Sequence, residues 1–302
     1  MVDGVVRFRR LTEWWRPKAG VLVSLVLFYL AIHEVGFELG LEVLVYSVIT
    51  LTGFAVTGYV LNDWSDIKSD RRAGKSNSME GLSVPVRLLI LVIALLVTSF
   101  PWINFFKTDA LSFALIISQL VLLFAYPVPP VRLKRFPFAA VCVDALYAFT
   151  IPTVLAWHTF DLTLLNDGVT AWFTFSALVI WMLAMGLRQI LNHHVADRSA
   201  DNVSGSANIA LQYSPAQLQK VVQNVLFPTE LLGCLFFLAL SGSNTGFFHF
   251  TVFLIAAFFG YRQLSGHRMW FTFSFRKTHL DRFSSFWIGL ISLVALSIFE
   301  LK

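Results

Sequence analysis

Charged side chains are scarce in this 302-residue chain, at 14%, where an ordinary soluble domain carries about 25%. Cysteine is almost absent. Cys142 and Cys234 both lie in apolar stretches, which excludes a disulfide framework or a cysteine metal site and leaves two small buried hydrophobes. The basic, aromatic residues 1–20 lack a short apolar core followed by a small-residue cleavage site, so no cleavable signal peptide is expected. Long polar tracts are missing as well, which excludes disorder. Apolar residues fill the chain instead: 57% are hydrophobic, with 30 Phe and 9 Trp, and the mean hydropathy is +0.70. A soluble fold of this size has too little interior to hide that much apolar surface, so the composition requires a polytopic membrane protein.

The apolar residues form continuous runs and do not alternate with polar ones, which excludes a β-barrel. Runs of spanning length fall at 19–36, 43–62, 86–105, 110–127, 138–157, 169–191, 216–241, 246–263 and 283–300. The expectation is an all-α membrane protein of nine transmembrane helices, one integral domain over 1–302. The net charge of +5 and the pI near 9.3 then mark cytoplasmic loops; no nucleic-acid partner is expected. With the N-terminus inside, 21 of the 23 Lys and Arg fall on the inner side, leaving only Lys107 and Lys302 outside. One missed span would invert every later loop and destroy that split. Segment 1–18 reads as an interfacial anchor, with Phe8, Leu11, Trp14 and Trp15 toward lipid and Arg7, Arg9, Arg10 and Arg16 near headgroups. The loop charge bias and the lack of targeting signals point to a bacterial inner membrane.

Two acidic elements stand out in a chain so poor in charge. The first, opening at Asn62 and running into loop 63–85, holds Asn62, Asp66 and Asp70 at four-residue intervals, with Asp63 beside them. On a helix continuing past the second span they form one stripe, where like charges repel unless a cation sits among them. Carboxylate and amide oxygens are hard ligands that suit Mg²⁺, which takes one or two carboxylates plus water and phosphate oxygens. The second element, in 192–214 after the sixth span, holds Asp197 and Asp201. At a fixed offset of 131 residues, Asp66 falls on Asp197, Asp70 on Asp201, Gly74 on Gly205, Asn62 on His193 and Asp63 on His194. The chain therefore reads as two four-helix halves plus a ninth helix, with paired half-sites facing one central cavity. One such element alone reads equally well as a solvated loop. Two matched elements call for a ligand that brings several negative charges through metal ions, and diphosphate fits.

Between them runs Tyr126-Pro127-Val128-Pro129-Pro130-Val131-Arg132-Leu133-Lys134-Arg135. Its prolines stiffen the loop and can aim Arg132 and Lys134 at phosphate oxygens. Arg135 reads as an ordinary inner-loop charge.

Taken together, Asn-Asp-x-x-Asp-x-x-x-Asp after span two, Asp-x-x-x-Asp after span six and Tyr-x-x-Pro-Pro-x-Arg-Leu-Lys after span four resemble the UbiA superfamily of intramembrane prenyltransferases, over nearly the whole chain. The resemblance implies a Mg²⁺-dependent enzyme that transfers the chain of a polyprenyl diphosphate to a lipophilic, often aromatic, acceptor. It implies one Mg²⁺ on Asn62, Asp66 and Asp70 with Asp63 in support, and a second on Asp197 and Asp201. Lys134 and Arg132 would hold the diphosphate, with Tyr126 nearby. His194 departs from the pattern of branches that carry a further acid there; it becomes a candidate phosphate contact and leaves the acceptor class open.

Ionisable residues at membrane depth are functional candidates by default. Asp144, with Tyr147 three residues on, is placed with the catalytic set, and Arg188 (beside Gln189) with the diphosphate ligands. Glu230 near Pro228 reads as structural, and His33 and Glu34 as interfacial. Two other functions fit parts of the pattern. An intramembrane terpene cyclase would use the same aspartates without an acceptor. A secondary transporter would explain the repeat, but it would put its acids at the midplane.

Overall fold

The computed structural model describes residues 20–32, 35–105, 109–160, 168–205 and 207–241. Segment 1–18, the expected spans 246–263 and 283–300, and His33, Glu34, Lys107 and Lys302 lie outside the described residues.

Helix α1 is Gly20–Ile32, α2 Phe37–Arg72, α3 Val84–Asn104 and α4 Ala110–Ala125. A short 3₁₀ turn, Leu133–Arg135, leads into α5 (Pro137–Ala145), which passes through a π-helical turn (Leu146–Thr150) into α6 (Ile151–Phe160). Then come α7 (Val169–Ser204), a one-turn α8 (Ile209–Gln212), α9 (Pro215–Val221), a second π turn (Val222–Leu226) and α10 (Phe227–Ser241). No strand occurs among the described residues. Each of the first seven expected spans coincides with one of these helical stretches. Five are long and apolar enough to cross a membrane: Phe37–Arg72, Val84–Asn104, Pro137–Thr159, Val169–Ser204 and Pro215–Ser241.

Both π turns end two residues before a proline, Pro152 and Pro228. Proline has no N–H, so an extra residue in the preceding turn is one way to keep the helix running. In the first turn the Ile151 N–H bonds the Leu146 carbonyl. The Tyr147 carbonyl would next need an N–H from residue 152, which proline lacks. The buried Gln119 of α4 fills the gap, its Nε2 donating to the Tyr147 carbonyl at 2.7 Å.

The acidic elements are not loops at their start, as the sequence boundaries 63–85 and 192–214 had them. Helix α2 runs on through Asp63, Asp66 and Asp70 to Arg72, and α7 through Asp197 and Asp201 to Ser204. The turns proper follow at Gly74 (φ 63°) and Gly205 (φ 71°), left-handed positions where glycine has no Cβ to strain.

The strongest packing pairs α2 with α3 and α7 with α10, the second and third long helices of each half. Small residues permit the approach: a Cβ at Gly53 would come within 2.3–2.7 Å of Thr98, and one at Gly233 within 2.9–3.0 Å of Trp181. Between lipid-solvated helices such close backbone contact supplies the van der Waals attraction that replaces a hydrophobic drive. Phe28, Tyr29, Trp157, Trp181 and Phe237 fill the centre of the bundle.

Candidate active site

At the ends of α2 and α7 the two halves build the same device. In the first, the Asn77 amide donates to the Asp63 carbonyl and to Asp70 Oδ2, both at 2.7 Å, and its Oδ1 accepts the Met79 N–H at 2.9 Å. In the second, the Asn208 amide donates to the His194 carbonyl at 2.8 Å and to Asp201 Oδ2 at 2.7 Å, and its Oδ1 accepts the Ala210 N–H at 2.7 Å. Every partner in one lies 131 residues from its counterpart in the other. Each asparagine folds the chain back onto its helix and fixes the last aspartate of its element. Ser83 and Ser214, at the same spacing, then open α3 and α9 as N-caps. The same 131-residue offset relates these asparagines in the sequence, a signal carried by a neutral amide and so absent from the pattern of charge.

Cations answer the acids. Lys134 Nζ donates to Asp66 Oδ2 at 2.6 Å and to Asn62 Oδ1 at 3.0 Å, and Arg132 donates to Asp66 Oδ1 at 3.2 Å. The proline-rich turn delivers both side chains. Arg132 takes a left-handed backbone (φ 40°), a conformation that costs a non-glycine residue energy and that concentrates at functional sites. Arg135 is exposed. Lys75 leaves the first turn and crosses to the other half, with Nζ 2.9 Å from Asp197 and 3.3 Å from Asp201. One ammonium thus lies between the two carboxylates of the second element and ties the turn after the first element to it. No motif marked Lys75 in the sequence; only the fold brings it there.

Burial pulls the Lys75 ammonium down, but the hydrogen bond to Asp197 and the charges of Asp197 and Asp201 together hold it above the usual lysine value. For Lys134 burial outweighs the attraction of Asp66 and leaves the ammonium below that value.

Several expected ligands have different surroundings. Asp63 is 1% exposed, and its Oδ2 accepts from the Ser78 N–H at 3.0 Å and hydroxyl at 2.5 Å, so it fastens the turn. Arg188 is buried in a two-point ion pair with Glu230, Nε to Oε2 at 2.5 Å and Nη2 to Oε1 at 2.8 Å. The structure thus places this expected diphosphate ligand in an ion pair inside the bundle. His194 is buried at the position equivalent to Asp63, while His193 is exposed, 3.9 Å from Asp197. Asp144 is buried and accepts a hydrogen bond from the Tyr147 hydroxyl, and the Tyr147 ring meets Tyr126 edge-on at 5.4 Å. Tyr126 and Asp144 are therefore linked through Tyr147.

No three His, Cys, Asp or Glu side chains converge as a metal cage among the described residues. Mg²⁺ does not need one, since it binds through one or two carboxylates and completes its shell with water and phosphate. Asp66 with Asp70, and Asp197 with Asp201, supply that donor set; Lys134 lies between Asp66 and Asn62, and Lys75 between Asp197 and Asp201. The residues fit the ion.

Residues 21–275 match the model of the UbiA prenyltransferase family. Two solved structures of a UbiA homologue from Archaeoglobus fulgidus share the fold. The one bound to GPP and Mg²⁺ aligns with a TM-score of 0.57 at 15% identity, covering 95% of this chain and 99% of its own. The one bound to DMAPP and Mg²⁺ gives 0.61 at 14% identity, covering 98% and 99%. No curated protein matches the chain. With the family match running through both acidic elements and most of the spans, the chain belongs to the UbiA prenyltransferase family.

Proposed function

We propose that this protein is a Mg²⁺-dependent intramembrane prenyltransferase that ionises an isoprenoid diphosphate at the paired acidic elements. The carrying observation is the matched asparagine-locked aspartates of the two halves, joined by Lys75. The solved relatives bound to isoprenoid diphosphates and Mg²⁺ support the same reading. The nine-helix topology with a cytoplasmic N-terminus belongs to it.

Asn62, Asp66 and Asp70 would hold one Mg²⁺, and Asp197 and Asp201 a second. Bound there, the ions neutralise charge that builds on the leaving diphosphate. Lys134 and Arg132 bind its oxygens in charge-assisted contacts, and Lys75 is available to do the same from the opposite side. Fixed donors aimed at the leaving group lower the barrier because they need no reorganisation as the bond breaks. The edge-on rings of Tyr126 and Tyr147 would each give an allylic cation held over a free face about 0.5–2 kcal/mol. Asp144 fixes the Tyr147 hydroxyl and so the ring. The turn 73–83, folded over the acids by Asn77, excludes water that would quench the cation.

Diphosphate release tests this reading. Purified protein is given geranyl, farnesyl and geranylgeranyl diphosphates, with Mg²⁺ or with EDTA, and the products are extracted for mass spectrometry. Mg²⁺-dependent release, abolished in Asp66→Ala and Asp197→Ala, is expected, with a prenylated acceptor among the products. A cyclic hydrocarbon or alcohol formed from the diphosphate alone would identify a cyclase instead. Flux of an intact substrate without release would identify a transporter.

A further inference from the structure

Lys75 belongs to the first half by its backbone and to the second by its ammonium. Helix α2 ends in a Schellman turn: the Gly74 N–H bonds the Arg71 carbonyl at 3.3 Å and the Lys75 N–H bonds the Asp70 carbonyl at 2.9 Å, with Gly74 left-handed. The Lys75 backbone is thus fixed to Asp70, the last acid of the first stripe. Its Nζ nevertheless lies 2.9 Å from Asp197 Oδ2 and 3.3 Å from Asp201 Oδ1. At the 131-residue offset the matching position holds the uncharged Ser206, so no lysine crosses back from there.

The oxygens it holds are those that an ion shared by both aspartates would use. Asp201 Oδ2 already accepts the Asn208 amide at 2.7 Å, so Oδ1 is the oxygen of Asp201 that faces a cation. Mg²⁺ binds carboxylate oxygens at about 2.0–2.1 Å. Placed on Asp197 Oδ2 and Asp201 Oδ1, it would meet the ammonium with no water between the two positive charges, which repel strongly at that range. For an ion held by this pair, metal and ammonium are alternatives. An ammonium that leaves two carboxylates loses charge-assisted hydrogen bonds unless another anion takes them up. Its backbone stays fixed by the Schellman turn while its four-carbon stem remains flexible, so Nζ can turn only to an anion that lies near both acidic elements. A diphosphate bound at the acids is such an anion.

We propose that Lys75 couples the second metal ion to the diphosphate: the ion enters between Asp197 and Asp201 as the ammonium turns from those carboxylates to the diphosphate oxygens. This rests on the reading of the acids as a metal and diphosphate site, and adds how that site fills. With no diphosphate bound, the ammonium competes with the ion and keeps its affinity low. With diphosphate bound, the ammonium has a second partner and the competition ends. By linkage the ion strengthens diphosphate binding by the same factor as diphosphate strengthens the ion's. Lys75 therefore opposes the ion bound alone and favours the diphosphate bound with it.

Those opposite signs make the test. Mn²⁺ bound to the full-length protein in phosphatidylcholine nanodiscs is titrated by electron paramagnetic resonance, with and without the non-ionisable geranyl S-thiolodiphosphate. The ion followed is the one lost in Asp197→Asn/Asp201→Asn. Lys75→Met should bind that ion about tenfold tighter when no analogue is present, the scale of one charge-assisted hydrogen bond no longer opposing it. The same variant should bind the analogue about tenfold more weakly when Mn²⁺ is present. Lys75→Arg keeps the cation and should stay on the parent's side of both changes. A residue that only braces the turn would weaken both ligands together, and that result, or an ion affinity untouched by Lys75→Met, would overturn the proposal. Thermal unfolding checks that the variant is folded. If it is not, the parent protein decides: an ion at Asp197 and Asp201 bound as tightly without the analogue as with it overturns the coupling. Absence of bound Mn²⁺ from both pairs, with and without the analogue, would instead overturn the metal reading on which the proposal rests.

Discussion

The two halves share a scaffold and differ in what they mount on it. Asn77 and Asn208 make the same three hydrogen bonds, and both hold the last aspartate of their element. Around that common frame the charges diverge. The first half keeps Asp63 where the second has His194, and its acids draw Lys134 and Arg132 from the neighbouring loop. The second half takes its cation, Lys75, from the first. At the position of Arg188 the first half has the buried Thr57. What is repeated is the aim of the carboxylates; what is not repeated is how each half balances its charge. Among the described residues the halves are joined by Lys75 at the acid end, by Gln119 and Tyr147 within the bundle and by the Asp109–His158 pair (2.9 Å) at the far end.

The largest effect should come from the charge that only the second half buries. Arg188→Met removes the two-point partner of Glu230, which is 0% exposed. Removing one partner of a buried pair costs about 3–5 kcal/mol. Arg188→Met/Glu230→Leu should recover much of that in thermal unfolding. Lost diphosphate affinity in a double variant of normal stability would return Arg188 to the substrate site.

Next come the acids themselves. Asp66→Ala and Asp197→Ala should each lower turnover by about 10²–10³-fold, the scale of losing one preorganised stabilising group. Similar losses in the two variants support one shared site. A silent Asp197 variant would make the second element ornamental.

The asparagines separate scaffold from chemistry. Asn77→Ala and Asn208→Ala each free a carboxylate and a backbone carbonyl, worth about 1–3 kcal/mol. The two should cost alike in turnover, with Asn→Asp failing to rescue because it accepts where a donor is needed. A large difference between them would break the equivalence of the halves.

The first seven spans were legible in the sequence because hydropathy needs no tertiary information, and the aspartates because charge is rare here. Lys75 was not legible, since its partners lie more than a hundred residues away. Nor was the Arg188–Glu230 pair, because Arg188 alone resembles an intramembrane functional group and its partner lies 42 residues on. Asp63 shared the motif with true stripe members, and only the turn above it shows that Ser78 takes its oxygen. The π turns were half legible: Pro152 and Pro228 announce a disturbance without saying whether the helix kinks, breaks or bulges.

The smallest effect concerns the pair at the far end. Asp109 caps α4 by accepting the Ser112 N–H at 2.7 Å. That bond, helped by His158 and opposed by slight burial, lowers its carboxyl from 3.8 to about 2. A depressed carboxyl contributes stability above its unfolded value and loses it as the pH falls through the folded one. Asp109→Ala should therefore cost about 1 kcal/mol near neutrality. The gap to the parent protein should close between about pH 4 and pH 2, which thermal unfolding across that range will register.

The central claim is that the two halves each hold one metal ion on a single diphosphate. Counting bound Mn²⁺ by electron paramagnetic resonance, with and without a non-ionisable thiodiphosphate analogue of the donor, tests it most directly. Two ions per chain are expected with the analogue present, with the second signal lost in Asp197→Asn/Asp201→Asn and the first in Asp66→Asn/Asp70→Asn. A single ion that survives removal of either pair would contradict the account.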